Sequence, residues 1–279
     1  MSLFSKNLKV HFIALSLSSL LIGANTQATT VQFQTVMGNI EVNLFDKTTP
    51  ATVTNFLSYV NSGAYANTLI HRSVQTTNTD GSKKPFVIQG GGYTYPNKLP
   101  LTTVASKGTV NNEPVYSNLR GTIAMAKIGG EPNSASKEWF FNLHNDNASF
   151  LDLNLGNSQG YTVFGQVTEA SLPVLDAIVA LNTFVVSNVL NEFPLRNYTL
   201  DDYKNNVLVD EDNLVLITNI VVLDPSPNTA DSLNPTKNTL LVIEEEKKGG
   251  GGGSLALWQL LLLMVLSVSV RKSLFNKMK

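Results

Sequence analysis

The sequence predicts a mainly β domain, a closed antiparallel barrel capped by two α-helices. Three observations lead there. "VQFQTVMGNIEVNLF" (31–45) alternates apolar and polar residues in two runs around Met37-Gly38-Asn39, the signature of a β-hairpin. Further short apolar runs, at 68–74, 86–89, 121–127, 138–143, 161–167 and 214–223, are separated by Gly, Asn and Pro clusters. Only two segments of the same region carry a helical period.

The first of these helices starts near Pro50. It places Val53, Phe56, Leu57 and Val60 at i, i+3, i+4 and i+7, and it stops at Asn61-Ser62-Gly63. The second is expected over 173–181, with Val174, Leu175, Ile178 and Leu181 on one face. Residues 75–85, "QTTNTDGSKKP", offer no apolar anchor and are expected to form a mobile surface loop. Residues 29–224 suffice for one domain with a substantial core. Residues 225–248 are rich in Pro, Asn and Thr and read as a stalk, with an apolar piece at Leu240–Ile243.

The two ends read differently. Residues 1–28 have a basic start (Lys6, Lys9), an apolar run from Val10 to Ile22 and a small-residue exit at Thr26-Gln27-Ala28, the pattern of a cleaved signal peptide. A buried N-terminal helix is the alternative. At the other end, glycines 249–253 with Ser254 make a flexible hinge, 255–270 an apolar membrane-spanning segment and 271–279 a basic cytoplasmic tail. This run of glycines, apolar segment and basic end resembles the GlyGly-CTERM sorting signal of Gram-negative bacteria. The resemblance implies a rhomboid-type sorting protease as partner, transient or permanent anchoring in the inner membrane, and a final place in the periplasm or at the cell surface. A plain C-terminal anchor is the simpler alternative.

Charge and composition narrow the function. All 21 Asp and Glu lie in 29–248, against 14 of the 20 Lys and Arg, so this part carries a net charge of −7. That argues against nucleic acid as a partner, which requires a basic face. With no cysteine there is no disulfide framework and no thiol chemistry. His71 and His144 are the only histidines in 29–248, so a Cys/His metal site is excluded and no metal or other cofactor is expected. The sequence has no G-x-S-x-G, no P-loop and no G-x-G-x-x-G. Gly90-Gly91-Gly92 precedes no helix and reads as close backbone packing or a bend. Arg72, on a half-buried strand, has an ordinary reading as a structural arginine paired with a core carboxylate.

The order of "IHR…FVIQGGG", "SNLRGTIAMAK" (117–127), "SASKEWFFNL" (134–143) and "YTVFGQV" (161–167) resembles the cyclophilins, the barrel-shaped peptidyl-prolyl cis/trans isomerases. The match covers most of 31–224 and is nearest to the exported bacterial branch, which also carries a segment like "NEFPLRNY" (191–198). The resemblance implies a cyclophilin-like barrel and roles residue by residue. Arg72 would be the catalytic arginine, and Gln89 the glutamine that hydrogen-bonds substrate backbone. Phe86, Val87, Phe140 and Leu151 would wall the proline pocket. Ala126 and Lys127 would line the groove for the residue before proline. Phe150 stands where tryptophan is common, and Tyr161 where histidine is common. The substrates implied are proline-containing exported polypeptides.

Two departures stand out. Thirteen residues (73–85) separate Arg72 from Phe86, where the family usually has four. Glu138 stands where the family commonly has glutamine. The alternative function is a cyclophilin-like peptide-binding or chaperone module with little turnover.

Overall fold

The computed structural model describes residues 29–153, 159–225, 230 and 233–241. The expected signal peptide, glycine hinge, membrane-spanning segment and basic tail all lie outside these residues. Among the described residues no helix is long and apolar enough to cross a membrane.

The chain opens with β1 (Thr30–Thr35), β2 (Gly38–Leu44), α1 (Pro50–Asn61), β3 (Thr68–Leu69), β4 (Arg72–Thr77) and β5 (Lys83–Gly90). Two short strands follow, β6 (Tyr93–Thr94) and β7 (Thr102–Thr103), and then β8 (Thr122–Met125), β9 (Trp139–Asn142), α2 (Ala148–Leu151) and β10 (Val163–Val167). The domain ends with α3 (Leu172–Val179), β11 (Thr183–Phe184), β12 (Phe193–Pro194), α4 (Leu200–Lys204) and β13 (Leu216–Asp224). Eleven strands form one sheet in the order β4-β5-β9-β8-β10-β2-β1-β13-β3-β6-β7, and β11 pairs with β12 separately.

The expected closed barrel is corrected: the sheet is antiparallel and open, with β4 and β7 at its two edges. The reason lies in the run 68–74, expected as one strand. It changes partner midway, pairing with β13 at Leu69 and with β5 from Arg72. Ile70 and His71 bridge the change, their N–H groups going to the Val215 and Gln89 carbonyls. The two sides are thus joined by covalent chain at this point rather than by a ladder between β3 and β4. The helices also exceed the expected pair, since α2 and α4 add short turns.

The helix at 50–61 forms where its apolar spacing places it. Val53, Phe56, Tyr59 and Val60 are buried, and Leu57 is partly covered. Its N-terminus has Pro50 at the first position and no cap from Thr49. The carboxylate of Glu113 accepts from the Thr52 N–H (2.9 Å) and hydroxyl (2.7 Å) instead, satisfying groups that a helix start leaves unpaired. This helix and α3 pack over a core containing Phe33, Phe56, Trp139, Phe141, Phe164 and Ile178.

Residues 75–85, expected as a loop, take regular structure at both ends. They continue the β4–β5 hairpin, with Gln75, Thr76 and Thr77 opposite Pro85, Lys84 and Lys83. A short turn closes it, the Asn78 N–H donating to Ser82 O (2.8 Å). Backbone pairing holds the arm without apolar anchors, a source of order that composition does not reveal. The described part of the expected stalk also folds back. Ser117 N–H donates to Thr236 O, and Asn238 N–H to Val115 O.

The glycines after β5 mark a close approach. A Cβ at Gly90 would lie 2.5 Å from the Trp139 ring, and one at Gly91 would lie 2.5 Å from Lys137 O. Trp139 is fully buried and has no room to retreat. Gly90→Ala is therefore expected to destabilise the domain by about 1–3 kcal/mol, the usual penalty of overpacking. Urea denaturation of the two proteins measures this, and an unchanged midpoint would contradict the packing described.

Candidate active site

The β-sheet register gathers the polar and apolar candidates on one face. Arg72 pairs with Gln89, Gln89 with Phe140, Phe140 with Ala124 and Ala124 with Val163. These five residues form a row across β4, β5, β9, β8 and β10, and directly paired residues point to the same side. The intervening positions Ile88, Trp139, Phe141, Ile123 and Met125 belong to the main core. The opposite face carries a second buried cluster that includes Phe86, Val87, Ala124, Phe140, Leu151, Tyr161 and Val163. Ala126 and Phe150 lie partly buried against it.

Phe86 and Val87 are consecutive yet both enter this cluster, against the strand period of two. Val74 pairs with Val87 and Gln75 with Pro85, which leaves Phe86 as an extra residue in β5. Such a bulge turns an additional side chain to the same face. The Phe86 carbonyl is not left unpaired, accepting from Leu143 N–H (3.0 Å) and Asn147 Nδ2 (2.7 Å). The Phe86 and Phe150 rings meet edge to face at 6.4 Å, and Phe140 and Tyr161 do so at 5.7 Å.

Arg72 is buried, and its Nε donates to Glu192 Oε2 at 2.7 Å. The ordinary reading of an arginine paired with a core carboxylate holds for the pairing at Nε, but Glu192 keeps part of its surface exposed and is not a core residue. Nη1 is buried as well and has no hydrogen-bond partner in the protein. Gln89 Nε2 donates to Glu138 Oε2 at 2.9 Å, and His71 Nε2 lies 3.6 Å from the same oxygen. The glutamate that departs from the usual glutamine therefore holds the Gln89 amide in place.

Lys127 is buried, donates from Nζ to Gly160 O and lies 4.9 Å from the centre of the Tyr161 ring. Burial pulls its ammonium down to about 7. Burial pushes the Tyr161 phenol up to about 12, with the Arg72 charge acting the other way. Tyr161 therefore remains neutral at physiological pH.

The turn carrying Phe150 and Leu151 is held from below. Asp152 is buried and accepts from Asn118 N–H (2.8 Å), Asn118 Nδ2 (2.8 Å) and the Ser117 hydroxyl. Asn142, Thr122 and Asn147 extend this network under β8 and β9. On the outside, Ala230 and Leu233 pack against the same apolar cluster, and Asn238 Nδ2 donates to Asp152 O at 3.0 Å. All ten sequence candidates thus converge on one side of the sheet. Sequence reasoning missed Glu192, Asp152 and Asn118, because each acts through a partner distant in the chain. A carboxylate between two leucines, as at Asp152, was the one signal available.

Residues 30–204 match the family described as cyclophilin type peptidyl-prolyl cis-trans isomerase/CLD. A peptidyl-prolyl cis-trans isomerase of Acinetobacter baylyi is 35% identical over 172 residues, covering 61% of this chain and 83% of that protein. Peptidyl-prolyl cis-trans isomerase A of Dickeya dadantii is 39% identical over 160 residues, 57% of this chain and 76% of its own. Peptidyl-prolyl cis-trans isomerase B of Escherichia coli is 36% identical over 154 residues, 55% of this chain and 85% of its own.

Lys127 makes stability depend on pH with a definite sign. Its pKa is about 7 when folded, against an ordinary 10.5. Below pH 7 both states carry the proton and the burial penalty is complete. Between the two values the unfolded chain binds more protons, so stability rises with pH. Lys127→Met removes this dependence. Its melting temperature relative to wild type should be highest near pH 6 and fall steadily towards pH 10. A difference independent of pH would contradict the burial of the ammonium.

Proposed function

The chain belongs to the cyclophilin-type peptidyl-prolyl cis-trans isomerases, and from that premise we propose how it works: Arg72 stabilises the twisted X–Pro amide while the apolar cluster holds the proline ring. The observation that carries this reading is the row Arg72–Gln89–Phe140, which sets a buried guanidinium with an unpartnered Nη1 beside an aromatic wall.

Rotation about X–Pro meets a barrier of about 18–20 kcal/mol because the planar amide is resonance-stabilised. No bond breaks and no proton moves. The enzyme has only to bind the twisted amide better than either planar form. Twisting localises a lone pair on the proline nitrogen, which then accepts a hydrogen bond. A guanidinium N–H already in place there is preorganised stabilisation of that state. Phe86, Val87, Phe140 and Leu151 would grip the ring, and Gln89, steadied by Glu138, would hold the backbone of the turning segment. Ala126, Lys127 and Tyr161 would line the path of the residue before proline, with Phe150 at the rim. A stabilisation of about 7 kcal/mol corresponds to roughly 10⁵-fold acceleration.

The substrates in this reading are exported proline-containing polypeptides. Supporting it are the signal-peptide pattern of 1–28 and the tail 249–279, with its glycine hinge, apolar segment 255–270 and basic end. Glycines disfavour helix by about 1 kcal/mol each, so they would open the backbone to a rhomboid-type protease at the membrane edge. The alternative, a binding or chaperone module with little turnover, would have no use for an unpartnered donor on Arg72.

In a protease-coupled assay on a short Ala-Pro peptide, Arg72→Ala should lower kcat/KM by roughly 10²–10³ with the fold retained. A variant as fast as wild type would refute the role of Arg72. For the tail, intact-mass analysis of protein from its native cells should find a C-terminus within or just after Gly249–Ser254. A species extending to Lys279 would leave the plain anchor instead.

A further inference from the structure

We infer that Glu192 is a positioning residue for the isomerase reaction, fixing the plane of the Arg72 guanidinium so that Nη1 meets the substrate amide. The inference rests on the reading of Arg72 given above.

A free arginine samples many orientations. Its side chain has several rotatable bonds and a planar fork of five N–H donors. Catalysis by hydrogen bonding to a twisted amide requires one of those donors at one place. A bond to Nε is well suited to this end, because it fixes the guanidinium plane and leaves the outer nitrogens for other partners. Glu192 supplies that bond at 2.7 Å, and Nη1 is the donor left buried and unpartnered. An unpartnered buried donor costs stability, so Nη1 is a donor with unused hydrogen-bonding capacity.

Glu192 is itself fixed to the same frame. Its carbonyl accepts from Ser73 N–H at 2.8 Å, so the residue after Arg72 and the backbone of its partner are tied together. The next residues anchor the segment: Phe193, Pro194 and Leu195 are buried, and Leu195 N–H donates to Asn182 O (3.1 Å). The pairing of β11 with β12 closes this unit. The carboxylate side chain keeps a quarter of its surface exposed, so it sits at the rim and does not form part of the core.

Position and charge make opposite demands here. A carboxylate beside the guanidinium weakens its field, which would work against electrostatic stabilisation. Holding geometry therefore has to be the gain. This separates the expected effects of two variants. Glu192→Gln keeps the reach and the acceptor oxygen but removes the charge. Glu192→Asp keeps the charge but draws the oxygen back by one methylene.

The test measures kcat and KM for Ala-Pro peptide isomerisation, with the melting temperature recorded for each variant. Glu192→Ala and Glu192→Asp should lower kcat by roughly 10- to 100-fold, the effect of a misplaced catalytic group, with KM little changed. Glu192→Gln should stay within about threefold of wild type. Arg72→Ala/Glu192→Ala should be no slower than Arg72→Ala alone, because Glu192 acts only through Arg72. A purely structural glutamate would lower the melting temperature and leave kcat unmoved, overturning the inference. So would Glu192→Gln as slow as Glu192→Ala, or a full additional loss in the Arg72→Ala background. Arg72→Ala at the wild-type rate would overturn the reading of Arg72, and the inference with it. Arg72→Ala slowed beside Glu192→Ala at full speed would overturn the inference alone.

Discussion

Antiparallel pairing with a side-chain period of two is the constraint on which this molecule depends. It sorts each strand into a core half and a site half. In β9, Trp139 and Phe141 enter the main core while Phe140 faces the other cluster. In β8, Ile123 and Met125 go one way and Ala124 the other. A slip of one residue between β5 and β9 would exchange Phe140 for Trp139 or Phe141 beside Gln89, and every such slip would bury the wrong set. The large core aromatics resist this, because Trp139 and Phe141 contact Phe33 at 4.9 and 5.3 Å and have no equivalent place on the other face. The packing of the main core therefore also sets the register of the site.

Where the period of two could not build the site, the chain breaks it. The bulge at Phe86 adds an aromatic wall that regular alternation would have turned away. The change of partner between Leu69 and Arg72 opens the sheet where the row of site residues begins. Arg72 thereby stands on an edge strand, reachable by Glu192 from the β11–β12 unit. Polar contacts support these departures from regularity. Phe86 O has two donors, and Asp152 anchors the turn that bears Leu151. The site is thus a product of irregular backbone held by long-range hydrogen bonds.

This division explains what could be read from the sequence. The opening hairpin, the helix at 50–61 and the helix near 173–181 were legible because their signals are local and periodic. That the candidate residues share one face of the sheet was legible through ordered motifs, from "IHR" to "YTVFGQV". The open sheet was not, since a strand that changes partner looks the same as one that does not. The arm at 75–85 was misread because backbone pairing leaves no mark in a polar composition. Glu192 was invisible as a partner of Arg72: 120 residues separate them, and "NEF" has no feature that points to a guanidinium. Glu138 was noticed as a substitution, but its bond to Gln89 follows only from the fold.

In the proposed role, this row of residues lowers the barrier to rotation and does more than hold a proline. Exchange NMR on an Ala-Pro peptide, with the protein present in catalytic amount, tests that claim directly. Catalysis should give exchange cross-peaks between cis and trans peptide signals on a subsecond timescale, where the free peptide needs tens of seconds. Peptide signals that shift on binding while cis and trans exchange no faster than in buffer would contradict it and identify the domain as a binding module.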